Sequence, residues 1–158
     1  MGDLSSAGSG KTMREGKAQA RREELIGVGM GEIPADLAIT NGKLVNVMSG
    51  EIHEADLLIK GGRIAYVGKR IDAIGQAVKT LDAAGCYLTP GLMDGHVHNE
   101  SSMMTVTQYA RAVLPHGTTA VFIDPHQVAH VVGIEGIRLA VEEGRQTPLR
   151  VFVNISSC

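Results

Sequence analysis

The strongest chemical signal in the chain is the run Asp94-Gly95-His96-Val97-His98. On a β-strand, residues i and i+2 point to the same face. His96 and His98 would then present two imidazoles side by side, and neutral imidazole is a common ligand for zinc, iron and manganese. The competing reading is a pair of polar residues at a strand edge. Two further groups belong to the same question. Asp124-Pro125-His126 follows an apolar run, and Pro125, with no amide hydrogen, fixes a turn there. Asp124 and His126 are candidates for substrate contact or for support of a metal ligand, and His126 also for an extra metal ligand, against the alternative of a polar loop that merely ends a strand. Glu100 stands two residues after His98. It is a candidate for substrate contact or for orienting a ligand, against the alternative of a solvated carboxylate near a helix start.

Other chemically suggestive residues carry less. His116 precedes Gly117 at a helix-to-strand connection and reads as structural; His130 reads as surface or packing. His53 has no chemical partner nearby in the sequence, and Met103-Met104 reads as lid or core packing. Gly8-Ser9-Gly10-Lys11-Thr12 resembles a phosphate loop, but the pattern needs glycine where Ser5 stands, and no strand precedes it. His98-Asn99-Glu100 spells the start of a zinc-deaminase signature that requires a downstream Pro-Cys-x-x-Cys. Neither cysteine, Cys86 or Cys158, supplies it, and their separation argues against a disulfide framework.

The elements that must position these residues fall into two patterns. Residues 1–13 read as an unstructured leader or tag, and residues 14–33 as a helix and linker. Arg14–Ile26 is rich in helix formers, with breaks expected at Gly27, Gly29 and Gly31. Over residues 34–90 short strands alternate with turns. Asn41-Gly42 is expected to turn one hairpin, between 36–40 and 43–47, and Gly61-Gly62 another, between 55–60 and 63–67. Short strands are also expected at 78–81 and 86–88, giving a small antiparallel β module. From residue 91 the pattern becomes strand-helix-strand. Leu92–His98 can be a strand, and Val106, Tyr109, Ala110 and Val113 fall at helical spacing behind a Thr105 cap. Thr118–Ile123 reads as a buried parallel strand. Ile134, Ile137 and Val141 mark a helix that Gly144 is expected to stop, and Leu149–Ile155 is a third strand. His98, His126 and Ser156 each follow a strand at β-α-unit intervals. Such a repeat fits a doubly wound sheet or a (β/α)₈ barrel, and three strands decide neither.

Composition bounds the partners. The chain has 158 residues, with apolar residues at 44% and charged residues at 20%, enough for a folded core. A net charge of −2 gives no electrostatic reason to expect nucleic acid or an anionic membrane surface. No apolar run reaches the ~20 residues that span a bilayer, and the N-terminus lacks an apolar signal core, so a cytoplasmic protein is expected.

The run Pro90-Gly91-Leu92-Met93-Asp94-Gly95-His96-Val97-His98 is similar to the signature of the amidohydrolase superfamily. Within it, Glu100-Ser101-Ser102-Met103-Met104 resembles a segment of adenine deaminases. So do Ala112-Val113-Leu114-Pro115-His116-Gly117-Thr118-Thr119, Asp124-Pro125-His126, the terminal Ser157-Cys158 and the strands around Asn41–Val47. The resemblance covers about Pro34 to Cys158. Three positions depart from it: Asn99 stands where an apolar residue is usual, Gln127 where Glu is usual, and Ser156 where Pro is usual.

The resemblance implies an α/β fold, a partial (β/α)₈ metal-dependent hydrolase barrel of which the first three strands lie in 91–158, preceded by part of a small antiparallel β-sandwich. It implies hydrolysis of adenine to hypoxanthine and ammonia, with adenine as the small-molecule substrate and a homo-oligomer in the full-length enzyme. His96 and His98 would hold a divalent metal, manganese or iron, with zinc as a further option. Glu100, Asp124 and His126 remain candidates for substrate or supporting contacts. No residue of the chain is given a catalytic role, because the family's other ligands come from later strands and a complete barrel takes about 250 residues. The isolated chain is therefore expected to be an inactive portion of a longer enzyme. Two other readings stay open: a cyclic amidohydrolase of the dihydroorotase or hydantoinase kind, and a non-catalytic metal-binding or assembly fragment.

Overall fold

The computed structural model describes residues 6–69 and 77–155. It divides into two compact units, Met1–Thr89 and Pro90–Cys158.

The first unit opens on helix α1, Ser6–Met30. The helix thus starts within the segment expected as an unstructured leader, and residues 1–5 lie outside the described residues. It also runs through Gly27 and Gly29. Gly27 is required by packing, since a Cβ there would lie 2.7 Å from Ile33 Cδ1. The stop is Gly31, at φ 82°. Its amide donates to Val28 O (3.1 Å), and that of Glu32 to Gly27 O (2.9 Å), the paired bonds of a glycine-terminated helix. Val28, fully buried, joins Ala35, Ala38 and Leu58 in the core of this unit.

Five strands follow: β1 Leu37–Asn46, β2 Glu51–Lys60, β3 Arg63–Gly68, β4 Lys79–Asp82 and β5 Tyr87–Leu88. They form one sheet in the order β3-β2-β1-β4, with β5 also on β1. The β2–β3 hairpin turns at Gly61-Gly62 as expected, both residues having positive φ. Asn41-Gly42 does not turn a hairpin. β1 runs straight through it, and the register with β2 shifts between Ile39/Leu57 and Gly42/Ala55. The pair forms a β-bulge. Asn41 takes the left-handed conformation (φ 56°), its amide donates to Asp56 Oδ1 (2.9 Å) and its Nδ2 to Asp82 Oδ1 (3.0 Å). The β1–β2 turn lies at Val47–Gly50, where Asn46 Oδ1 accepts from the amide of Met48 (3.1 Å). The expectation of a purely antiparallel module is corrected too. β4 pairs with β1 before the bulge and β5 after it, both in parallel. The bulge divides β1 between two partners.

The second unit is a three-stranded parallel sheet, β6 Leu92–Val97, β7 Thr118–Ile123 and β8 Arg150–Val153, in sequential order. Helix α2, Val106–Val113, joins the first two strands; α3, His126–Val132, and α4, Ile134–Arg145, join the last two. Val121 and Ile123, both fully buried, pack with Val97, Val151, Val153, Val106, Ala110 and Ala140. Alternation along the strands then places His96, Phe122 and Phe152 on the other face, where the two phenyl rings stack with centroids 4.6 Å apart.

Helix ends differ from expectation in two places. Thr105 does not cap α2; its hydroxyl meets that of Thr107 (3.1 Å). The cap comes from α4, where Glu143 Oε2 accepts from the amides of Val106 (2.6 Å) and Thr107 (3.4 Å). Gly144 does not stop α4, which ends one residue later. A Cβ at Gly144 would lie 3.0 Å from Val151 Cβ, so the glycine lets helix and strand approach. Ser156 and Ser157-Cys158 lie outside the described residues.

The bulge makes a stability prediction. Asn41→Val, which forces a β-branched residue to positive φ, costs about 1–2 kcal/mol in urea unfolding, whereas Asn41→Gly costs less. A second prediction follows from Asp36. Its carboxylate accepts from the Gly61 amide (2.9 Å) and pairs with Lys60 (2.9 Å), and those two contacts, in that order, hold it below the ordinary carboxylate range. A lowered folded value means stability that is present above the unfolded pKa and lost as pH falls through the folded one. The urea midpoint is expected to drop below about pH 4, and to drop less in Asp36→Asn.

Candidate metal centre

The last residues of β6 aim the two histidines. Pairing with β7 slips between Asp94/Val121 and Val97/Ile123, a bulge that re-aims side chains at a strand end. Asp94 braces it by accepting from the His96 amide through Oδ1 (3.2 Å). Asp94 also adds to burial, the larger cause, in raising the Tyr109 phenol above its ordinary range. The role of Asp94 in the motif is thus to shape the strand end.

His98 follows the strand directly. Its Nδ1 lies 2.9 Å from the backbone oxygen of Asp124, the first residue after β7. A carbonyl only accepts, so Nδ1 carries the proton and Nε2 keeps its lone pair. That Nε2 lies 3.0 Å from His96 Nε2, with the rings nearly perpendicular at 85°. At a metal–nitrogen distance of about 2.0–2.1 Å, two imidazole nitrogens on one cation stand about 2.9–3.3 Å apart. The observed spacing falls within that range, so the donor pair fits a single divalent ion. The carboxylate of Asp124 completes a group: one ligand atom each from His96, His98 and Asp124, all within 4.8 Å of one another.

The remaining candidates surround this group without joining it. His126 Nδ1 is 3.5 Å from Asp124 Oδ1, and its ring meets that of His98 edge-on, centroids 4.6 Å apart. His130 continues the row at 5.7 Å from His126. Glu100 lies in the 3₁₀ turn Asn99–Ser102 that leaves β6. Both its carboxylate oxygens are buried without a hydrogen-bond partner among the described residues. The turn is tightly stitched. Asn99, only 6% exposed, donates from Nδ2 to Met104 O (3.1 Å). The Ser102 hydroxyl donates to Asn99 O (2.6 Å), and Met103 takes φ 56°. These bonds explain the polar residue at position 99. Gln127 Nε2 donates to the Ser101 hydroxyl (3.1 Å), tying the turn to the start of α3 with a neutral amide. His53 and His116 are exposed and stand apart from the cluster.

Sequence reasoning placed Asp124 among substrate or supporting contacts; its standing within ligand range is an addition. The signal available was its position at the carboxyl end of a parallel strand, beside the strand that carries the histidines. Glu143, which caps the helix following the Glu100 turn, carried no local signal.

The amidohydrolase family matches residues 87–158, and the urease alpha-subunit N-terminal domain matches residues 1–82. An adenine deaminase of Moorella thermoacetica is 57% identical over 135 residues, 85% of this chain and 23% of that protein. Adenine deaminase 3 of Rhizobium meliloti is 54% identical over 136 residues, again 85% of the chain and 23% of the relative. The chain thus spans under a quarter of the length of these relatives. Among solved structures, atrazine chlorohydrolase from Arthrobacter aurescens TC1 shares the fold, with a TM-score of 0.56, 21% identity and coverage of 77% of this chain and 36% of that one. Among the described residues, no helix is long and apolar enough to cross a membrane. The chain thus carries a urease alpha-subunit N-terminal domain over residues 1–82 and an amidohydrolase segment over residues 87–158, with adenine deaminases as its homologues.

Proposed function

We propose that this chain is the N-terminal part of an adenine deaminase that hydrolyses adenine to hypoxanthine and ammonia. The observation that carries the reading is the pair of Nε2 atoms 3.0 Å apart, with Asp124 in ligand range, in a chain 57% identical to an adenine deaminase. On this reading β6, β7 and β8 are the first strands of a (β/α)₈ barrel, with the site at the carboxyl ends of the strands. The five-stranded sheet is part of the accompanying sandwich. The protein is cytoplasmic and homo-oligomeric.

His96 and His98 hold a divalent metal through Nε2, and Asp124 supplies a carboxylate to the same ion. Imidazole with carboxylate suits manganese, iron and zinc alike, and the resemblance to adenine deaminases puts manganese and iron first. When bound, such a metal acts as a Lewis acid that lowers the pKa of water toward about 7. The chain's own contribution is positioning. The Asp124 carbonyl holds the His98 ring in one tautomer and one orientation. His126 stands where its Nδ1 can steady the Asp124 carboxylate. Glu100, with two buried oxygens seeking donors, takes a ring N–H or the amino group of adenine.

Two measurements test this. In calorimetric titration the chain is expected to bind one equivalent of Mn²⁺ or Zn²⁺. His96→Ala or His98→Ala should weaken binding at least ten-fold, and Asp124→Asn should weaken it measurably. Unchanged affinity in the His96→Ala/His98→Ala double variant would sink the metal assignment. The reaction is tested by grafting this chain in place of the matching segment of the Moorella thermoacetica relative. The chimera is expected to release hypoxanthine from adenine, and the same chimera with His96→Ala to lose at least 100-fold of that rate. A folded, metal-loaded chimera that leaves adenine intact would overturn the substrate.

A further inference from the structure

Apart from the metal centre, the described residues contain one place where cations gather without counter-charge. Lys17, Arg21, Arg22 and Arg63 line a single open cleft of about 440 Å³, together with Ala18 and Leu25. Lys17, Arg21 and Leu25 recur at four-residue spacing on α1, as do Ala18 and Arg22, so they share a helix side. Arg63 begins β3 on the opposite wall. Two contacts hold the walls in place. The Arg21 guanidinium donates from Nη2 to the Gly61 carbonyl (3.3 Å). Further along, α1 comes so close to β3 that a Cβ at Gly29 would lie 3.4 Å from the Ala65 carbonyl oxygen.

The charge distribution is the informative part. A merely solvated basic face would interleave with the acidic residues of the same helix and point away from the sheet. Here Glu23 and Glu24 are committed elsewhere. Glu23 accepts from Gln19 (2.9 Å) and Glu24 faces Lys60 (4.0 Å), which itself pairs with Asp36. Among the described residues, no carboxylate lines the cleft. Among the described residues the side chains of Lys17, Arg22 and Arg63 form neither an ion pair nor a hydrogen bond. Three guanidiniums and an ammonium around an aliphatic floor match phosphate oxygens, which Arg engages in a fork and Lys as a point charge. The volume lies within the range of small-molecule sites, about 300–1,000 Å³.

We propose that this cleft binds a small polyphosphorylated ligand, with Arg22 and Arg63 as its principal anchors and Lys17 and Arg21 flanking them. The proposal is independent of the deaminase reading. A free phosphate chain and a nucleoside polyphosphate share the recognised chemistry, so the test uses both. The full chain is titrated calorimetrically, in metal-free buffer, with inorganic tripolyphosphate and with ATP. Saturable one-site binding is expected. Equal affinities identify the phosphate chain as the recognised group, and tighter binding of ATP identifies the nucleotide. Arg22→Gln/Arg63→Gln should weaken binding at least ten-fold, about the loss of one charge-assisted hydrogen bond. Arg138→Gln, at an exposed arginine paired with Glu135 on α4, should change nothing. As a readout that needs no variant, tripolyphosphate should shift amide NMR signals of α1 and the β2–β3 hairpin. Absence of saturable binding, equal weakening by Arg138→Gln, or shifts confined to residues after Pro90 would each overturn the proposal.

Discussion

The hydrogen bond from His98 Nδ1 to the Asp124 backbone oxygen joins the ends of two neighbouring strands at the point where both leave the sheet. Much of the centre depends on it. It fixes which imidazole nitrogen is free, and so where the His98 lone pair points relative to His96 Nε2. Its acceptor is backbone rather than side chain, so the Asp124 carboxylate is not the group that orients His98. One residue thus serves as orienting acceptor through its main chain and as candidate ligand through its side chain. The adjacent ladder bond, Asp124 N to Val97 O (3.0 Å), keeps the two strand ends at the spacing this double duty requires. Any loosening of β6 against β7 would disturb tautomer, aim and ligand spacing together.

The centre is also shaped by a departure from regular pairing. Without the slip between Asp94 and Val97, continuing the Asp94/Val121 pairing would set the two histidines one residue further along β7. The aspartate of the motif, often an attractive candidate for chemistry, is occupied in holding that slip. Acidic residues near a metal site thus divide into those that face the ion and those that hold the backbone which faces it.

What the sequence disclosed follows from the range of the forces involved. The His96/His98 pair was legible because a two-residue spacing on a strand is local geometry. The strand at Thr118–Ile123 was legible because a buried parallel strand is an unbroken apolar run. Gly61-Gly62 was read correctly as a turn, and Asn41-Gly42 was not, although both supply positive φ. The difference lies in partners tens of residues away: Asp56 and Asp82 hold Asn41 in a bulge. The start of α1 among small polar residues, the separate helix α3 and the donor from Asp124 were equally non-local. Glycines 27 and 144 looked like helix breakers because a sequence does not show the neighbours, Ile33 and Val151, that need the missing Cβ.

The cap that Glu143 places on α2 has a consequence for the order in which the chain becomes native. α2 has eight residues, too few to persist alone in water, and its first amides wait for an acceptor 37 positions downstream. The turn carrying Glu100 and the stitched Asn99 leads straight into that helix. Local sequence therefore cannot finish the rim of the centre by itself. It sets only when α4 has formed and docked, so the rim is a late-assembling part of the unit, and its amides should open to solvent exchange in step with those of α4.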